Sequence, residues 1–552
     1  MDKKTKLAMN SLLKLTTVFL LLFLAGCSSS KELTTNSQDE SSTETITLTA
    51  SKDWHLTASD ANPYYGTGVA KAYEELLVDK SPSEIIVAII DSGTDIEHED
   101  LKDNIWKNDD EIAGNGIDDD NNGYIDDIHG WNFIGGSDGR HVKDDTFELT
   151  RIYTSLRDDY LGLKRTDIPE NKLEEFDYFL EIKAQFEAKK AENDQILTNV
   201  KNINQAILGS KQIFGVTSLD SLTDEQKKPK ATDGPYLQQA KGLVEFLDEN
   251  GLTETDIDEA LEQFQSLADY GLNPEFDPRP IIGDDYQDLT YRYYGNNDVK
   301  AVRNDHGTHV AGIVGAVRNN ELGIDGIVNV KLMILRTTPN GDERDKDVAN
   351  AIRYAAENGA RVLNMSFGKG YSPQKQYVDE AVRFADSVGV LMVSGSGNDG
   401  SNIDNVESFP NKFYAEGGQA TNYLTVGASS WESGLDIPAS FSNYGQFNVD
   451  IFAPGVDVYS TYPDNNYKAE DGTSMASPVV AGVAALIMSY YPELTATQVK
   501  DILLQTSTKP EAKVVTKPGS DEQVPFSSLS VSGGIVNAFE ALKAAEQVMK
   551  GN

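Results

Sequence analysis

The sequence predicts an α/β fold: three layers, a mostly parallel central sheet with helices on both faces, and an α-helical insertion. Two observations carry this. Short apolar, β-branched runs recur along the chain with helical patterns between them. Such alternation builds a parallel sheet covered on both sides. The stretch from Asp144 to Pro280 departs from it, with helical periodicity in a heavily charged background.

In chain order, Lys3, Lys4, Lys6 and Lys14 give a positive start to the 552-residue chain. Leu15 to Leu24 is apolar but too short to span a bilayer comfortably. Leu24-Ala25-Gly26-Cys27 and three serines follow, which reads as a secretory signal over 1–26. The end of that signal resembles a bacterial lipobox. The resemblance implies cleavage before Cys27 and lipidation of it, hence a bacterial cell-envelope protein outside the cytoplasm, periplasmic or surface-facing. An ordinary signal peptide cut nearby, or a marginal membrane anchor, is the alternative. Cys27 is the one cysteine, so no intramolecular disulfide can form. Residues 27–52, rich in Ser, Thr and acids, read as a disordered tether.

From Trp54 the chain reads as folded. Ile85 to Ile90 is a continuous apolar run, suited to a fully buried parallel strand, and Asp91-Ser92-Gly93 breaks it. Val330 to Leu335, Val362 to Met365, Val388 to Val393 and Leu424 to Val426 repeat this strand type. Between them, Val348, Ile352 and Ala355 share one helical face. Functional residues of such sheets collect at the carboxyl ends of strands, where Asp91 and Asn398 fall. In the insertion, 144–280, Ile196, Val200, Ile203 and Ile207 have helical spacing. So do Ile257, Leu261, Phe264 and Ala268, with Gly271 as the stop. The folded domain is therefore 53–143 plus 281–552.

With 48 basic and 88 acidic residues the formal charge is −40. Nucleic acid is excluded as a partner, since phosphate binding needs a basic face. The charge suits a hydrated surface and favours cationic or neutral ligands. The oligomeric state is open, with a monomer favoured.

The chemistry concentrates in three segments. Gly472-Thr473-Ser474-Met475-Ala476-Ser477-Pro478 sets a serine at the start of an apolar helix, among unpaired N–H groups. Asp91-Ser92-Gly93-Thr94-Asp95 follows a buried strand. His306-Gly307-Thr308-His309-Val310-Ala311-Gly312 opens another helix. Aspartate, histidine and serine are the parts of a nucleophilic triad. His306 and His309 are not spaced as in the helical zinc motif.

These three blocks, in this order, resemble the signature blocks of the subtilisin-like serine proteases over about residues 80–142 and 295–545. The resemblance implies a subtilisin-like fold and a serine endopeptidase acting on polypeptides through an acyl-enzyme. It makes Asp91 the orienting carboxylate, His306 the base, Ser474 the nucleophile and Asn398 the oxyanion donor. It also makes Ser366-Phe367-Gly368 the segment that pairs with an extended substrate. Ser394, Gly395 and Ser396 become the floor of the first specificity pocket, polarised by the serines and tolerant of apolar side chains. No cofactor is implied for catalysis.

In Asp118-Asp119-Asp120-Asn121-Asn122-Gly123-Tyr124-Ile125-Asp126-Asp127, oxygen donors alternate ahead of a turn glycine, which is calcium-loop chemistry. Asp118, Asp120, Asn122 and Asp126 are the candidate ligands of a structural Ca2+; a solvated acidic turn is the alternative.

The chain departs from the family in two ways. Asp91 and His306 are 215 residues apart, and the insertion fills the gap; it is either a wall or lid over the cleft or an appended domain. The stretch between Cys27 and the Ile85 strand is too short for a separate folded prodomain. Two other functions compete. One is a catalytically silent scaffold or adhesion lipoprotein of the same fold. The other is an acyl transferase or lipase, against which the missing Gly-x-Ser-x-Gly elbow argues.

Overall fold

The structure is a computed structural model describing residues 50–58, 64–230, 232–512 and 514–551. Cys27, the 1–26 signal and all but the end of the 27–52 tether lie outside the described residues.

Seven parallel strands form the central sheet in the order β2-β3-β1-β4-β5-β6-β7. They are β1 (Ile86–Asp91), β2 (Gly130–Asn132), β3 (Lys331–Arg336), β4 (Val362–Met365), β5 (Leu391–Gly395), β6 (Tyr423–Ser429) and β7 (Ile451–Pro454). The apolar runs are continuous because both faces are covered. Side chains alternate across a strand. Val87 and Ile89 enter one core with Leu332 and Ile334, while Ala88 and Ile90 enter the other with Met333 and Leu335. Helices Asp305–Gly315, Thr473–Tyr490 and Ala538–Gly551 cover the first face. Helices Asp345–Glu357 and Lys375–Ser387 cover the second. This is the three-layer architecture the alternation predicts.

Helix Thr473–Tyr490 is, among the described residues, long and apolar enough to cross a membrane, yet 89% of it is buried. It is hydrophobic all round because it is the central core helix. An antiparallel hairpin, β8 (Val458–Tyr462) and β9 (Asn466–Glu470), stands outside the main sheet.

The insertion is narrower than 144–280: the second compact unit spans Gly162–Asn273. The physical reason is a buried ionic cluster within the larger unit. Glu148 and Arg151, on helix Glu148–Tyr160, pair at 2.7 Å, and Glu148 also meets Lys369 at 2.7 Å. Arg279 pairs with Asp284 at 2.7 Å and Asp347 at 2.6 Å. The smaller unit is helical as its periodicity predicts: Leu173–Phe214, Pro235–Glu249 and Glu254–Ser266. Ile196, Val200, Ile203 and Ile207 pack there with Val244, Leu247, Ile257 and Phe264. A wound turn ends at Gly271.

Candidate active site

Asp91 ends β1, and Ser366 directly follows β4. Asn398 follows β5, and Ser474 is the second residue of the core helix. All four therefore meet at the carboxyl edge of the sheet, where the strand order predicts a site.

Asp91 is 2% exposed. Its Oδ1 accepts from His306 Nδ1 at 2.7 Å and from the Ser92 amide at 2.7 Å. Helix Asp305–Gly315 approaches β1 closely enough that only glycine fits at 307: a Cβ there would stand 2.0 Å from the Gly93 carbonyl oxygen. Burial lowers the His306 pKa. The adjacent Asp91 carboxylate, aided by Asp305 and Glu470, outweighs it, and the net shift is upward. His309 lies one turn on. Its Nε2 meets the Lys468 carbonyl at 3.0 Å, and burial holds it at about 3. It is a neutral packing residue, outside the Asp–His pair.

Helix Thr473–Tyr490 has proline at 478, so the Ser474 carbonyl lacks its usual helical donor. Ser366 Oγ supplies one at 2.8 Å. The Ser474 hydroxyl in turn donates to the Ser366 carbonyl at 3.0 Å. Asn364 Nδ2 donates to Ser366 Oγ and Ser477 Oγ donates to Asn364 Oδ1, each at 2.9 Å. These bonds lock the helix that carries Ser474 to the end of β4. The serine hydroxyl is thus turned toward Ser366 here rather than toward His306.

Asn398 Oδ1 accepts from the Thr473 amide at 2.9 Å and from Thr473 Oγ1 at 3.0 Å. That fixes the orientation of its amide at the helix start. Its loop is held by Asn443, whose Oδ1 accepts from the amides of Asp399 and Ser401 at 3.0 and 2.8 Å. Asn443 Nδ2 donates to the Ser396 carbonyl at 2.9 Å. Gly397 has φ +100, and a Cβ there would sit 2.4 Å from Asn443 Nδ2. Nothing in the sequence around Asn443 signals this role.

A cavity of about 500 Å³ opens beside Ser474, lined in part by Ser366, Phe367, Gly368, Gly395 and Asn398. Ser394 and Ser396 do not line it, so the polarised floor is corrected. Both are buried, and Ser396 Oγ donates inward to the Asn443 carbonyl at 3.0 Å. The cavity lining includes three acidic residues, Glu343, Asp399 and Glu407.

The acidic loop is also rearranged relative to expectation. The Asp118 carboxylate accepts from the amides of Asn122 and Gly123, and the Asp126 carboxylate from those of Asn115 and Gly116. Both are used by turns. The carboxylates that converge, within 4.8 Å of one another, are Glu111, Asp120 and Asp127. Asn122 stays beside them, its amide against Asp120 and Asp127 at 3.0 Å each. Of the four predicted ligands, Asp120 and Asn122 are therefore at the cluster, and Asp118 and Asp126 are not.

A parallel sheet with an Asp–His pair and a helix-start serine at its carboxyl edge defines a serine hydrolase of the subtilisin type. The chain belongs to the subtilase family, whose profile matches residues 82–524. It is 40% identical to subtilisin DY of Bacillus licheniformis over 210 residues, 37% of this chain and 71% of that protein. It is 40% identical to the thermophilic serine proteinase of Bacillus sp. (strain AK1) over 39% of this chain and 49% of that protein. The cell wall-associated protease of Bacillus subtilis (strain 168) matches at 32% identity over 48% of this chain and 29% of that protein. In the latter two, the matched part is less than half the relative's length. Family membership supports a serine-type peptidase acting on polypeptides.

Proposed function

We propose that the protein is an envelope-anchored serine endopeptidase. The observation that carries the peptidase reading is the 2.7 Å bond between Asp91 Oδ1 and His306 Nδ1 at the sheet edge that also holds Ser474; the anchor rests on the lipobox resemblance of Leu24-Ala25-Gly26-Cys27.

In this mechanism Ser474 Oγ leaves the Ser366 carbonyl and attacks the scissile peptide carbonyl. His306 Nε2 takes its proton, while Asp91 holds Nδ1–H and stabilises the imidazolium. The developing oxyanion receives the Asn398 amide N–H, a donor worth about 3–4 kcal/mol of barrier. His306 then protonates the leaving amine, the C–N bond breaks, and the acyl group stays on Ser474. Water, deprotonated by His306, attacks the ester and releases the acid. The substrate main chain adds beside Ser366-Phe367-Gly368.

A fluorophosphonate probe should label the wild type and fail on Ser474→Ala; equal labelling of both sinks the assignment. The same probe on fractionated cells tests the anchor. The labelled band should follow membranes, and Cys27→Ala should release it.

Subtilases work without a catalytic cofactor, and structural calcium is common among them. Glu111, Asp120 and Asp127 offer hard carboxylate oxygens only, which fits Ca2+, while Asn122 turns its Nδ2 donor toward Asp120 and Asp127 and its Oδ1 accepts from the Tyr124 amide. Bound there, the ion would neutralise a carboxylate cluster, a structural role. Calcium should raise the melting temperature, and Asp127→Asn should abolish the rise. An equal rise in both proteins excludes this cluster.

A further inference from the structure

We propose, building on the peptidase reading above, that the cavity beside Ser474 recognises a basic side chain, lysine or arginine, close to the scissile bond. Four charged residues line it: Glu343, Lys369, Asp399 and Glu407. The one cation among them is already committed. Lys369 Nζ pairs with Glu148 at 2.7 Å and Asp345 at 2.8 Å, and donates to the Glu343 carbonyl at 2.8 Å. Lys369 also lies in the field of Glu343, so Asp399 and Glu407 are the acidic lining residues with no ion-pair partner among the described residues.

Glu343 adds a buried acid to the same lining. It is 2% exposed, and its Oε1 has no hydrogen-bond partner among the described residues. Burial raises its pKa, which a cationic guest would reverse. The overall acidity of the chain does not account for this group, because a solvating surface charge has no reason to be buried. Asp399 and Glu407 are exposed and form no ion pair among the described residues. The apolar lining of Phe367 and Ile403 suits the aliphatic stem of a long side chain whose charged head reaches the carboxyls. The volume, about 500 Å³, lies in the range of ligand-binding clefts.

The test is cleavage of a mixed peptide library by the full-length protein. Products are read by mass spectrometry over four residues on each side of the cut, with fluorophosphonate titration counting active sites. Lysine and arginine should exceed leucine and glutamate by at least about tenfold at one position. Glu343→Gln, Glu407→Gln and Asp399→Asn are then compared by the Lys-to-Leu ratio of kcat/KM, and at least one should lower it about tenfold. Glu407→Lys should shift the preference toward acidic residues. A flat or apolar profile from protein that titrates fully overturns the inference and leaves the peptidase reading standing. An unchanged ratio in all three variants overturns it as well. Protein that neither titrates nor cuts overturns both. The wild-type profile needs no variant to fold, and Asp399 and Glu407 are exposed positions should Glu343→Gln fail to fold.

Discussion

At the residue scale, His306 is set by two opposed effects, and their balance fixes a pH dependence. Burial disfavours the imidazolium, the Asp91 carboxylate favours it, and the carboxylate prevails over the ordinary value of 6.5. A general base works only when neutral. Activity should therefore be full at alkaline pH and fall as pH drops through a midpoint above 6.5. Asp91→Asn removes the stabilising charge and disturbs the tautomer. It should lower kcat by roughly 10⁴-fold and move the midpoint of kcat/KM downward. A variant profile whose midpoint stays in place would show that Asp91 does not set this titration.

At the element scale, the start of helix Thr473–Tyr490 is tied to the end of β4 by a bond that replaces a missing helical one. Pro478 deprives the Ser474 carbonyl of its helical partner, and Ser366 Oγ replaces it. Ser366→Ala should therefore cost about 1–3 kcal/mol of stability and lower kcat more than it raises KM. Thermal unfolding and steady-state kinetics check this; a variant with wild-type melting and kcat removes the bond from the account. Five of the seven sheet strands and this helix start were legible because continuous apolar runs, and a serine set just ahead of one, are local signals; β2 and β7 carry shorter runs and were not anticipated. Asn443 was not, since it acts across a long loop on residues 396–401. Glu111 and Asp127 were missed for a related reason. Their convergence on Asp120 depends on how the chain folds back around the acidic loop, while alternation along the loop pointed to Asp118 and Asp126. Ser394 and Ser396 were assigned to the pocket floor by position in a motif, but their burial depends on β6 and Asn443.

At the scale of the whole molecule, the buried ionic cluster decides where the insertion can be cut. Arg151, Asp277 and Arg279 all lie inside 150–280, and their partners Glu148, Arg344, Asp284 and Asp347 are at most 8% exposed at the side chain. Removing 150–280 would take Arg279 from Asp347, which has no other ion-pair partner among the described residues, while Asp284 keeps Lys346 and Glu148 keeps Lys369 at 2.7 Å each. An uncompensated buried charge costs about 3–5 kcal/mol, so the loss at Asp347 alone takes a large share of the stability of an ordinary domain. That deletion should yield insoluble or unfolded protein. Removing only 162–273 spares every one of these pairs. It also spares the Arg157–Glu275 ion pair at 2.6 Å, which shows that the chain leaves and returns within reach of one contact and that a short Gly-Ser linker can close the gap. This shorter deletion should fold with a cooperative melt and keep its Ser474 labelling. Measuring soluble yield, melting and probe labelling for both deletions separates the two cases. Equal collapse of both would mean that the 162–273 helices are required for the catalytic unit to fold. Equal survival would mean that the ionic cluster contributes far less than its burial implies.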